Sequence, residues 1–114
     1  MKINNVELED IDILDADVAE TYENALEKVI TETNQTEELS ISASIRKQCN
    51  AVFNCFNTIF GEGTDKKVFG NKVNLMTCLK SFEELVEHAN KQKEEFEKLT
   101  EKYSPNRAQR RTKK

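Results

Sequence analysis

The sequence is short of the residues that usually carry chemistry. It holds one histidine, one proline, three glycines and three cysteines. The histidine, His88, has Glu84 four residues before it and Glu87 beside it. No nucleophile or second metal ligand stands within helical reach, so His88 is expected on a helix surface. Cys49, Cys55 and Cys78 are odd in number and lack CxxC spacing. That argues against a disulfide framework and against a zinc site, and leaves buried free thiols as the reading. All three glycines fall in one segment, FGEGTDKKVFG, residues 60–70. As a phosphate loop it fails, because GxGxxG would need glycine where Lys66 stands and GxxxxGK[ST] is absent.

Long apolar runs are missing too. Nothing approaches the ~20 residues of a membrane span. The opening MKINNVELEDIDILD has one lysine followed by acids, unlike a signal or transit peptide, so the expected location is the cytoplasm. The Asn34-Gln35-Thr36 sequon is then accidental. Asp10, Asp12, Asp15 and Asp17 lack the glycine and the closing glutamate of a calcium loop. No cofactor or metal is expected, and no enzymatic activity.

What is present is charge and helical periodicity. Charged residues make up 33% of the 114 and the mean hydropathy is −0.72, which suits one helical domain with a modest core and solvated faces. Lys2–Leu8, KINNVEL, reads as a tight hairpin, since Asn-Asn tolerates positive φ. The Ile11-Asp12-Ile13 alternation would continue its second strand. Asp15 suits the N-cap of a first helix whose stripe is Val18, Tyr22, Ala25, Leu26, Val29 and Ile30. The polar stretch 31–38 reads as a connection. A second helix over about 37–60, capped by Thr36, carries Ile41, Ile45, Val52, Phe56, Ile59 and Phe60, with Cys49, Phe53 and Cys55 at the margins. Gly61 ends it, and Val68 and Phe69 of the connector fold back onto the core.

A third helix is predicted over about 72–103, with apolar residues on a seven-residue period. Leu75, Phe82, Ala89, Phe96 and Tyr103 share one position, and Cys78, Leu85, Gln92 and Leu99 share the other. Leu79 and Val86 widen the first half into a core-facing stripe, whereas only the narrow seam continues beyond Ala89. The second half therefore projects into solvent or pairs with another helix, and self-pairing is the preferred reading. The expected fold class is mainly α: a short N-terminal β-hairpin, then three helices, the third long with a coiled-coil-like C-terminal half. Residues 1–103 form the domain. Ser104-Pro105 stops the helix, and 104–114 is a disordered basic tail.

That tail contrasts with the rest of the chain. Five of its last eight residues are basic, leaving 12 basic against 21 acidic groups elsewhere. Nine of those acids lie between residues 7 and 27 and can dock a basic segment. The tail has no stacking aromatics and sits on an acidic body, which makes nucleic acid an unlikely partner. Partner-binding candidates are Phe96, Leu99 and Tyr103 on the seam and Arg107, Arg110 and Arg111 in the tail.

The FGEGTDKKVFG connector and the ending Pro105-Asn106-Arg107-Ala108-Gln109-Arg110-Arg111, on a helical body after an acidic strand pair, resemble small tail assembly chaperones of long-tailed phages and prophages of Gram-positive bacteria. Residues 14–23, LDADVAETYE, resemble the start of uncharacterised phage proteins of similar size. The resemblance implies a non-enzymatic protein that self-associates and binds the tape measure protein, a long helical rod. It would hold that rod soluble while tail tube subunits assemble. The family has no catalytic residues to transfer. Two other classes remain: a structural component of the virion tail or head–tail junction, and a small regulator whose tail contacts nucleic acid.

Overall fold

The computed structural model describes residues 1–35 and 38–103, apart from the side chains of Lys102 and Tyr103. The chain is mainly helical, and a two-stranded antiparallel hairpin precedes the helices. Strands β1 (Lys2–Ile3) and β2 (Val6–Glu7) pair Lys2 with Glu7 and Ile3 with Val6. Asn4 and Asn5 turn the corner at φ 53° and 62°, the left-handed pair that a two-residue turn requires. Two strands of two residues cannot stand alone. Ile3 is fully buried, and the Asn4 side chain donates to the Val68 carbonyl at 2.8 Å, tying the hairpin to the helices.

Helix α1 (Ala16–Thr33) starts where expected, with the Asp15 carboxylate accepting from the Asp17 and Val18 amides at 3.0 and 3.2 Å. Tyr22, Ala25 and Val29 are its buried stripe. Ile30 departs from the expectation. It lies about 100° round the helix from buried Val29, at the margin of the stripe, and is exposed.

Helix α2 (Ile41–Phe60) begins four residues later than the pattern implied. Its cap is Ser40, whose hydroxyl accepts from the Ala43 amide at 3.2 Å; Thr36 lies outside the described residues. Ile41, assigned to the core stripe, is 82% exposed. Cys49 and Cys55, assigned to the margins, are buried with Val52 and Phe56. The buried face thus runs through 49, 52, 55 and 56, rotated slightly from the expected one, because α2 is packed by helices on two sides.

The glycine-containing segment holds a further short helix, so among the described residues four helices follow the hairpin where three were expected. Gly61 (φ 112°) and Gly63 (φ 91°) turn the chain, and α3 (Thr64–Phe69) follows. The Asn57 side chain anchors its start, accepting from the Asp65 amide at 2.9 Å. Phe69 packs on Phe53 and Phe56 with ring centroids 5.0 and 5.5 Å apart. These aromatic contacts supply the tertiary support a six-residue helix lacks by itself.

Helix α4 (Leu75–Tyr103) is capped by Asn74, whose side chain accepts from the Thr77 amide at 3.0 Å. At ~1.5 Å per residue its 29 residues span ~43 Å of a molecule 53 Å in longest extent. Cys78, Ser81, Leu85 and Ala89 are buried, while Leu79 is exposed, so the core-facing stripe is narrower than expected.

The expected continuation of β2 through Ile11 and Ile13 is absent: residues 8–14 form no strand. Ile11 and Ile13 are nevertheless buried. Their backbone groups are satisfied from α4 instead. The Gln92 amide oxygen accepts from the Ile13 N–H at 2.8 Å, and its NH2 donates to the Ile11 carbonyl. One glutamine side chain replaces a strand partner.

Candidate interaction surface

Gln92 also marks where α4 leaves the body. Upstream, one face of the helix is buried. Downstream, Lys93 through Leu99 are all exposed. Phe96 is 37% exposed and Leu99 56%, three residues apart on the face that continues the buried stripe. Two of the expected binding residues are therefore displayed together on a projecting helix. Tyr103 ends α4, at the next repeat of the Phe96 position, though its side chain lies outside the described residues. Arg107, Arg110, Arg111 and the expected basic tail also lie outside them.

The base of this projection is held firmly. Besides the Gln92 clamp, the Glu84 carboxylate accepts from the Asn4 amide at 3.2 Å. The N-terminal ammonium donates to Asp10 at 2.7 Å and to the Leu8 carbonyl at 2.8 Å, closing the hairpin's open end. The hydrogen bond from the ammonium holds the Asp10 carboxyl below its ordinary value of 3.8; the same bond raises the ammonium above 8.0. His88 is half-buried, rather than facing solvent, and its charge also favours ionised Asp10.

The three cysteines are free and buried, as expected. Burial pushes the Cys55 thiol up to about 12. Cys78 is pushed up to about 12 by burial and by its neighbour Cys49. Thiols held this far into the protonated form are poor nucleophiles at neutral pH. Cys55 borders a groove of ≈ 990 Å³ between α1 and α2. Ala25 and Ala51 let the helices approach there, and Glu27, Lys28, Glu32 and Glu62 are among its lining. Its functional groups are amides, hydroxyls and surface charges, which suit polar contact rather than bond making. Among the described residues, no group of three or more histidine, cysteine or acidic side chains is placed to hold a metal. No helix among them is long and apolar enough to cross a membrane.

A second apolar surface went unread in the sequence. Ile30, Leu39 and Ile41 are all exposed at the turn joining α1 to α2. The signal was available, since all three flank the polar stretch 31–38, where amphipathic helices end. Helical spacing alone assigned Ile30 and Ile41 to the core.

The chain belongs to a family of unknown function, DUF6673, whose model matches residues 4–114. No curated protein and no solved structure matches it.

Proposed function

We propose that the protein is a non-enzymatic assembly chaperone of phage or prophage tail morphogenesis, working in the host cytoplasm as a self-associating binder of the tape measure or tail tube protein. The observation that carries this reading is the projecting end of α4, with Phe96 and Leu99 exposed on one face beyond the Gln92 clamp. A helix presenting apolar residues at i and i+3 suits another amphipathic helix, the chemistry of a tape measure rod. Exposed apolar residues on a rigid support are the usual anchors of such contacts. The sequence resemblance supplies the identity of the partner.

Co-expression tests it. The tape measure protein of the same phage or prophage is expected to move from the pellet to the soluble fraction with this chain, and to return to the pellet with Phe96→Asp/Leu99→Asp. Equal insolubility with and without the chain would overturn the reading. Recovery of stoichiometric copies in purified particles would favour a structural tail component instead.

A further inference from the structure

We propose that two copies of this chain pair antiparallel through the ends of α4, Phe96 of each packing on Leu99 of the other. The inference rests on the reading of this seam as a working surface, and adds what covers it when no tail protein is bound.

The first argument is continuity. The heptad position that carries Leu99 also carries Cys78 and Leu85, both fully buried, and Gln92, which ties α4 to the loop before α1. The body is thus the partner of this face as far as Gln92, and beyond it the same pattern runs on through Phe96 and Leu99, both exposed. A helix end of about three turns is marginal alone, and a second helix on its apolar face is the ordinary remedy.

The second argument is steric and sets the direction. The body covers the seam face of α4 upstream of Gln92. In a parallel pair, the two bodies would lie at the same height on the same seam and compete for one volume. In an antiparallel pair centred between 97 and 98, position 103 of one helix ends level with Gln92 of the other. The overlap then uses the whole projecting segment and stops where each body begins.

Charge is the third argument. In the antiparallel register, Glu95 faces position 102 of the other copy, a lysine, and the symmetry repeats that pair. Lys93 faces Thr100, so no like charges meet across the seam. A parallel register would set Glu95 against Thr100 and Lys93 against His88, with no opposite-charge pair. The overlap is short of the ~1,200 Å² of a stable interface, so the pair is reversible and yields to a longer helix from a partner.

The purified full chain, alone, is the material for the test, so tape measure solubility remains a separate readout. Light scattering and sedimentation should show a monomer–dimer equilibrium within about 10 μM to 1 mM. Leu99→Asp should abolish the dimer with helicity and melting retained, as the residue is outside the core. Glu95→Lys should weaken the dimer about fivefold to tenfold, and Glu95→Lys/Lys102→Glu should restore it to within about twofold. When Glu95→Cys and Lys102→Cys chains are mixed and oxidised, the mixed disulfide should dominate; the native cysteines are buried and do not compete. A monomer throughout, a dimer indifferent to Leu99→Asp, a double swap no better than the single, or like-with-like disulfides would each overturn the proposal.

Discussion

Leu85 and Leu99 occupy the same position of the seven-residue repeat, two repeats apart on one helix. Leu85 is fully buried and Leu99 is 56% exposed. The helix is the same and the residue type is the same, so the difference comes from what lies beside them. Leu85 has the hairpin and the neighbouring helices, while Leu99 has passed the end of the body. The pair teaches that an apolar stripe reports a face and not its burial. The N-terminal half of that face builds the core, and its C-terminal half is surface available for association.

The sharpest way to break this comparison is to truncate both leucines. Leu85→Ala should cost ~2–5 kcal/mol of unfolding free energy. Leu99→Ala should cost under ~0.5 kcal/mol at protein concentrations too low for association. Urea unfolding of both variants checks this, and equal losses would erase the distinction between the two halves.

The boundary itself comes next. Gln92→Ala leaves the Ile13 N–H and the Ile11 carbonyl without their partner, at a cost of ~1–3 kcal/mol. Hydrogen exchange at the Ile13 amide should accelerate strongly. Unchanged exchange would mean that the loop is held by its buried isoleucines alone.

A smaller effect sharpens the contrast from another surface. Ile41→Ser should change stability by less than ~0.5 kcal/mol, because Ile41 already stands in water, whereas Val52→Ala on the buried face of the same helix should be plainly destabilising. Thermal melts of the two variants decide it.

The smallest expected effect concerns the closure between the N-terminal ammonium and Asp10. The ammonium's pKa is raised, so its contribution is complete below 8.0 and is lost as pH rises through the folded-state value. The Asp10 pKa is depressed, so its contribution is complete above 3.8 and is lost as pH falls. Any stability difference between the natural chain and Asp10→Asn should therefore be greatest between those values and fade outside them. Both groups are exposed, so the difference should be slight and weaken with salt. A difference that grows at alkaline pH would contradict the pairing.

Local signals were legible at several points where one residue dictates geometry. Asn4-Asn5 specified the turn, Asp15 the start of α1, and Gly61 the end of α2. Patterns proved weaker where two structures share one pattern. The alternation at Ile11 and Ile13 suits a strand, yet it is a loop whose partner is a side chain 79 residues away. Thr64–Phe69 has too few residues for periodicity to register, and it is helical because Phe69 meets Phe53 and Phe56. In the candidate surface, Phe96 and Leu99 were legible from the repeat, while the exposed trio at the α1–α2 turn was hidden by the same reasoning that found the seam.

Read alone, the chain's residues settle which positions share a face, where the hairpin and α1 begin, and that the thiols are free. They do so because caps, turns and periodicity act within a few residues of each other. Tertiary packing decides how far along each face burial extends: to Cys49 but not Ile41, to Gln92 but not Phe96. That extent depends on the reach of neighbouring elements, which no stretch of sequence carries within itself.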